Sequence, residues 1–344
     1  MTHYNKSTSL PQEKETSQSS LAKQYGGIHS GTWVDLFPSS WIPYIQLSRL
    51  SPPVAFFLIY LPHLFGVAHA SKVHNMPIHE AIRTSAILLG GSFFCNNSSH
   101  AWNDLIDSSI DKSIPRTQNR PIPRGAISPR AALVFTGFQA IGALCFLLVL
   151  PLPAVKASIP TILITTYYPF AKRHTHLAQF VLAFCLTWGV MVGTAAMGVD
   201  EPWMDNSTLC LFLAAAVWVV IFDTIYAHQD LPADIEFGVK SMAVLIKGHT
   251  KLVLWLFWAC LELFLGASGY FGGMGLWYYA ISMGGCIAPT GIMILLVDLE
   301  DPKSCWKWFA SGFWLTGTSI AAGLLAEYLA DAALHSTSVT MKVA

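Results

Sequence analysis

Charge is what this sequence has least of. Only 12% of its 344 residues are Asp, Glu, Lys or Arg, and twenty basic residues face twenty acidic ones. A soluble domain carries about 25% charged residues. Half that share, with 53% hydrophobic residues and a mean hydropathy of +0.48, argues against a soluble globular enzyme. A net charge of zero removes the basic surface that a nucleic-acid partner would need, so no nucleic acid is expected. The seven cysteines stand singly, in or beside apolar runs, without CxxC or Cys/His spacing. They read as small buried apolar groups, not as a zinc site or a disulfide framework. The first 35 or so residues lack an apolar run, which argues against a secretory signal. They also lack arginine and carry Glu13, Glu15 and Asp35, unlike a mitochondrial transit peptide. Residues 1–38 are expected to form a polar, disordered cytosolic tail.

What is present instead is apolar length. A helix needs about 20 apolar residues to cross a bilayer. Nine segments qualify, near 51–70, 80–102, 130–151, 154–170, 177–198, 207–228, 250–272, 275–298 and 306–329. The fourth is the weakest, since Lys156 and Pro160 sit near its start. The expected fold is therefore all-α: a polytopic bundle of about nine transmembrane helices in the lipid bilayer, with two aspartate-rich cytosolic loops. The membrane domain would cover 39–330 and a tail 331–344. In this topology sixteen of the twenty Lys and Arg residues lie on the side of the N-terminus, leaving Lys72, Arg83, Lys156 and Lys342 opposite. The positive-inside rule makes the richer side cytosolic.

Two stretches break the scarcity of charge, and both fall on that side. "HAWNDLIDSSIDKSIPRTQNRPIPRG", residues 100–125, holds three aspartates, one lysine and three arginines. Asn103, Asp107 and Asp111 are spaced by four, which puts them on one helix face, and Asn96 and His100 extend the stripe upstream. Polar groups inside a membrane helix are costly unless they face a cavity or a partner. The second stretch, "FDTIYAHQDLPADIEFGVKS", carries Asp223, Asp230 and Asp234 at spacings of seven and four; Pro232 leaves its helicity open past Gln229. Two facing carboxylate clusters repel, so something cationic must lie between them. Oxygen donors without His or Cys suit Mg²⁺, which prefers one or two carboxylates plus phosphate oxygens. The arginines suit bidentate binding of phosphate. A salt-bridged loop that merely orients the topology is the plainer reading of either stretch alone; two on one side at helical spacing favour a diphosphate site.

These motifs resemble a known family. "NDLIDSSIDKSIPRTQNRPIPRG" is similar to the first aspartate-rich signature of the UbiA membrane prenyltransferases. "DTIYAHQDLPADIEFGVKS" resembles the second, and "YYPFAKRHTHLAQFVLAFCLTWG" resembles a segment of the 4-hydroxybenzoate polyprenyltransferase branch. "WIPYIQLSRLSPPVAFFLIYLPHLFGV" looks more like the fungal meroterpenoid members than the quinone-pathway ones. The resemblance spans about 40–330. It implies a prenyl diphosphate donor, Mg²⁺ as cofactor and transfer of the prenyl group to an aromatic ring. Asn103, Asp107, Asp111, Asp223, Asp230 and Asp234 match metal positions, and Asp107, Asp111, Asp230, Asp234 and Tyr168 the catalytic ones. Asp104 matches the ND pair but points off the stripe. Arg116, Arg120, Lys172, Arg173 and Lys240 match diphosphate-binding positions. One departure is that Leu231, Pro232 and Ala233 stand where many relatives have further acids.

The implied acceptor is a phenolic acid, orsellinic-acid-like in the meroterpenoid reading, with farnesyl as donor group; Asn96 and His100 would line its pocket. The endoplasmic reticulum is the expected membrane, and Asn206, in a lumenal Asn-Ser-Thr sequon, is a glycosylation candidate. A 4-hydroxybenzoate polyprenyltransferase of quinone biosynthesis is the alternative within the family. A transporter is the alternative outside it, although transporters place ionisable groups near the midplane, not at one face.

Overall fold

The computed structural model describes residues 33–343, with side chains to 333. The tail expected over 1–38 falls mostly outside them. Among the described residues every element is helical. After a 3₁₀ turn at Val34–Leu36, a short helix α1 (Ile42–Leu47) leads into α2 (Val54–Val73). The long helices α3 (Ile78–Asp111), α4 (Pro129–Leu147) and α5 (Leu152–His174) follow. Next come α6 (Ala178–Ala196) and α7 (Asn206–Ala227). Two short helices, α8 (Leu231–Glu236) and α9 (Met242–Leu245), precede α10 (Thr250–Phe271), α11 (Tyr278–Leu296) and α12 (Pro302–Val343).

A long helix thus occupies each of the nine segments read from sequence. Seven are long and apolar enough to cross a membrane. The other two are α3 and α5. Asn, Ser, Asp and His residues dilute the apolar content of α3, and α5 carries Lys156, Pro160 and Pro169.

Two segments take a more regular form than a loop or a separate tail would. The acids of both aspartate-rich segments sit on helix ends, as their spacing implies. No Gly or Pro interrupts α3 between Ser92 and Asp111, so the helix carries its acids in regular register to its last residue. The second segment stays helical as well. α7 tightens into a 3₁₀ turn at His228–Asp230, and α8 starts with Pro232 in its first turn, where a missing N–H costs nothing. The tail expected from 331 is also continuous with α12, since no Gly or Pro follows Gly323.

Packing explains how the bundle encloses a space. α7 runs through the centre, with Trp218, Ile221, Phe222 and Ile225 fully buried. α2 and α6 cross closely because Gly66 abuts Val190 and Gly193 abuts the His63 carbonyl; a Cβ at either glycine would collide with backbone. Small residues serve helix contacts in this way where the surrounding lipid is as apolar as the side chains. α4 packs chiefly on α3 and turns Leu133, Val134, Phe138 and Ile141 outward, as a lipid-facing helix should. The two intramembrane glutamates, Glu262 and Glu327, both face protein, and Glu327 accepts the Tyr278 N–H at 3.2 Å. Between α2, α3, α4, α5, α6 and α7 lies a cavity of about 500 Å³, which reaches the acidic ends of α3 and α7.

Candidate active site

The last two turns of α3 build one wall of the cavity mouth. Asn103, Asp107 and Asp111 all line it and are at least nine-tenths buried. The helical spacing of four produces this arrangement, and it leaves Asp104 about 100° away on the wheel. Asp104 does not line the cavity, as its phase requires. It is nevertheless almost fully buried, because Arg49 at 2.8 Å and Arg120 at 3.1 Å share its Oδ1.

The end of α7 and α8 build the facing wall, and Asp223, Asp230 and Asp234 all line the same cavity. The change of helix type at Asp230 turns the chain without removing any of the three from it. Ser241 donates to Asp234 at 3.3 Å.

Basic side chains lie between the two walls. Arg116 makes two parallel hydrogen bonds to Asp230, adds Tyr226 Oη at 3.0 Å and stacks over the Tyr226 ring. Arg120 bridges Asp104 and Asp111, the latter at 2.9 Å. Burial works against both charges, but the adjacent carboxylates outweigh it. Asp230 holds the Arg116 guanidinium well above its ordinary value, and Asp104 with Asp111 does the same for Arg120. Lys172 reaches Asp107 at 3.8 Å and lies over the ring of Tyr168 one turn earlier on α5. Lys240 also lines the cavity; its Nζ donates to the His174 carbonyl at 3.3 Å. The cation demanded by two opposed acidic clusters is supplied first by the chain itself.

Two of the residues assigned from sequence lie off the cavity lining. Arg173 does not line the cavity. One residue beyond Lys172 rotates the side chain by about 100°, and it instead caps the Ile106 carbonyl at 3.0 Å and lies over Phe170. Asn96 is fully buried but also absent from the lining. Its amide donates to the Ser48 carbonyl at 2.8 Å, tying α3 to the segment before α2. His100 does face the cavity, with a buried Nε2 that has no partner. Asn206 lies exposed at the start of α7, remote in sequence from the acids at that helix's other end.

Two contributors were not singled out from sequence. Tyr226 precedes Asp230 by four residues, a spacing that could have revealed it. Arg49 lies 55 residues from its partner Asp104, and its backbone is left-handed at φ 51°, for which no sequence signal exists.

The donor set suits a hard cation. Asn103 Oδ1 and Asp107 Oδ1, one turn apart on α3, are buried oxygens with no hydrogen-bond partner. Among the described residues no three His, Cys, Asp or Glu side chains converge into a cage. A magnesium ion held by two protein oxygens and completed by phosphate fits that geometry, because Mg²⁺ favours few carboxylates plus substrate phosphate.

Comparison with known proteins follows the same lines. Residues 59–317 match the UbiA prenyltransferase family. The chain is 31% identical over 309 residues to the mitochondrial 4-hydroxybenzoate polyprenyltransferase of Saccharomyces cerevisiae, covering 87% of this chain and 80% of that protein. It is equally similar, 31% over 309 residues, to prenyltransferase stbC of Stachybotrys bisbyi, covering 86% and 90%. The fold resembles a UbiA homologue from Archaeoglobus fulgidus bound to GPP and Mg²⁺, at a TM-score of 0.63 and 18% identity over 83% of this chain and 99% of that one.

Proposed function

The chain belongs to the UbiA prenyltransferase family, and from that premise we propose that it transfers a prenyl group, farnesyl first among candidates, from its diphosphate to a phenolic acid of the orsellinic type. The observation that carries this reading is the pair of unpartnered oxygens, Asn103 Oδ1 and Asp107 Oδ1, set among arginines and lysine at the mouth of a largely apolar cavity.

The chemistry follows from that arrangement. The C1–O bond of an allylic diphosphate breaks as the ring carbon attacks, and negative charge grows on the departing diphosphate. Bound Mg²⁺ would act there as a Lewis acid, with the free oxygens of Asn103 and Asp107 as its first protein ligands and Asp111, Asp223, Asp230 and Asp234 lining the same space. Arg116, Arg120, Lys172 and Lys240 aim fixed positive charge at the same place, and preorganised charge of this kind costs no reorganisation at the moment of reaction. Tyr168 packs beneath Lys172 and holds the ammonium toward Asp107. The helices below the mouth keep water from the allylic cation. The ring carbon gains the prenyl group and loses a proton, and diphosphate leaves.

All nine long helices cross the membrane in this reading, with the acidic ends cytosolic and Asn206 lumenal, in the endoplasmic reticulum. The basic residues gathered on one side of the chain support that orientation. A second reading, prenylation of 4-hydroxybenzoate, draws support from the equal identity to the yeast enzyme. Microsomes given isoprenyl diphosphates and a set of phenolic acids with Mg²⁺, analysed by mass spectrometry, decide between the two. An orsellinic-type product supports the first reading. Product from 4-hydroxybenzoate alone supports the second, and no product from any pair removes both.

A further inference from the structure

Helix ends leave backbone groups without partners, carbonyls at the C-terminus and N–H groups at the N-terminus. Beside the candidate site, the end of α5 and the start of α9 are satisfied by each other's flanking residues. Gly238, left-handed at φ 67°, closes α8 with the Val239 N–H on the Asp234 carbonyl at 2.8 Å. Lys240 then caps α5 twice, its N–H on the Lys172 carbonyl at 3.1 Å and its Nζ on the His174 carbonyl at 3.3 Å. The chain beyond α5 returns the contact. His176 Nδ1 donates to the Ser241 carbonyl at 3.3 Å, and Gln179 Oε1 accepts the Met242 N–H, the first of α9, at 2.9 Å. Four hydrogen bonds thus join residues 172–179 to residues 240–242.

These bonds bracket Ser241, whose buried hydroxyl works in two directions. It caps α9 by accepting the Val244 N–H at 3.3 Å, and it donates to the Asp234 carboxylate at 3.3 Å. Asp230 is gripped directly by Arg116, whereas among the described residues the Asp234 carboxylate takes its hydrogen bond from Ser241 alone. The same corner reaches the opposite wall, because the Lys172 side chain approaches Asp107 at 3.8 Å. The four bonds are not equivalent. The Lys240 ammonium is exposed and His176 is half-buried, so water can replace those contacts. Gln179 and Met242 are both more than nine-tenths buried, and water cannot easily replace that one. A buried N–H that loses its acceptor bears the full cost of its desolvation. The start of α9, and with it Ser241, therefore depends most on Gln179.

We propose that Gln179 is a positioning residue for prenyl transfer: its side-chain oxygen holds the N-terminus of α9, the α9 N-terminus holds Ser241, and Ser241 aims Asp234 at the diphosphate and its metal. This rests on the prenyl-transfer reading above. Gln179 also lines the cavity, so a direct contact with substrate is the competing role. The two roles separate by what each variant changes. A positioning residue acts on metal and diphosphate through Ser241, and its loss is not felt twice once Ser241 is gone. A substrate contact acts on the acceptor's KM and adds to the loss of Ser241.

The test uses the full chain in lipid nanodiscs and two readouts: steady-state transfer at varied Mg²⁺, and binding of Mn²⁺ with inorganic diphosphate, followed by electron paramagnetic resonance. Gln179→Met removes the oxygen at nearly unchanged length. It should weaken Mn²⁺ binding and raise the Mg²⁺ midpoint of transfer by at least about fivefold, with the acceptor's KM within about twofold. Gln179→Glu restores an acceptor oxygen and should recover most of the Mn²⁺ affinity. Gln179→Met combined with Ser241→Ala should bind Mn²⁺ within about twofold of Ser241→Ala alone. If Gln179→Met does not fold, Met242→Pro deletes the same bond from the donor side, at a helix position that tolerates proline, and the same pattern is expected. Mn²⁺ affinity unchanged in Gln179→Met, or effects that add in the double variant, overturn the positioning role. A wild-type protein that transfers no prenyl group removes the functional reading instead, while the Mn²⁺ measurements still decide what Gln179 does.

Discussion

Arg116 and Asp230, 114 residues apart, are joined by two parallel hydrogen bonds across the mouth of the cavity, Nε to Oδ1 at 2.8 Å and Nη2 to Oδ2. Side chains following α3 and α7 meet there, so the two acidic helix ends are fixed at the same end of the bundle. Asp107, by contrast, has only the longer contact to Lys172. The two aspartates therefore share one proposed task but differ in structural weight.

That difference separates two variants. Asp107→Ala and Asp230→Ala should each lower kcat/KM by about 10² to 10³, the usual cost of removing one transition-state electrostatic group. Only Asp230→Ala leaves a guanidinium buried without its main partner, a defect worth about 3–5 kcal/mol. Thermal unfolding in detergent should therefore drop sharply for Asp230→Ala and little for Asp107→Ala. Equal unfolding temperatures would show that the Arg116–Asp230 pair carries no stability.

Arg120→Lys keeps the charge but cannot span Asp104 and Asp111 with a planar fork. Donor KM should rise about tenfold with a similar Mg²⁺ dependence. The carboxylates that hold the Arg120 guanidinium above its ordinary value keep it charged at every pH below that raised value. No limb of the pH–rate profile between about 5 and about 10 then belongs to it, and the variant profile should keep its shape. Unchanged kinetics would reduce Arg120 to a topological anchor.

Lys172 and Arg173 are adjacent but point to different places. Lys172→Ala should cost at least tenfold in kcat/KM, and Arg173→Ala less than twofold. Steady-state assays on matched preparations check this, and a large loss in Arg173→Ala would return that residue to the site.

Chelation tests whether metal holds the site together. The mouth is tied by Arg116, Arg120 and Arg49, so EDTA should abolish transfer yet leave the unfolding temperature within about 2 °C, which for a chain of this length corresponds to about 1 kcal/mol. A drop of ten degrees would mean that metal is part of the fold.

The orientation predicts that Asn206, expected lumenal and exposed at the start of α7, is open to modification. Microsomal protein should gain mobility on treatment with an N-glycosidase, and Asn206→Gln should remove the shift. A tag on the N-terminus, cytosolic in this orientation, should be protease-sensitive in sealed microsomes. Protection of that tag would invert the topology.

Much of this was legible in the residues. Apolar length located all nine long helices, and the four-residue spacing placed Asn103, Asp107 and Asp111 on one face. Helical period also separates Lys172 from Arg173, since the two cannot share a direction on one helix. Asn96 lay in the stripe by spacing, yet its amide is consumed by a backbone carbonyl 48 residues away. Arg49 shows the other limit. Its place beside Asp104 depends on a left-handed turn and on how α2 lies against α3, neither of which any local pattern encodes.

The pairing at the cavity mouth also orders the birth of the protein. Arg120 emerges from the ribosome nine residues after Asp111 and can neutralise it within the same stretch of nascent chain. Arg116 must wait for Asp230, through the synthesis and insertion of α4, α5, α6 and α7. Half of the site is thus a local event and half a closing one, and contacts between distant segments form late because the intervening chain must first be placed. A chain arrested before α7 would hold a basic side chain at the membrane surface with its partner unmade, a recognisable mark of an unfinished molecule.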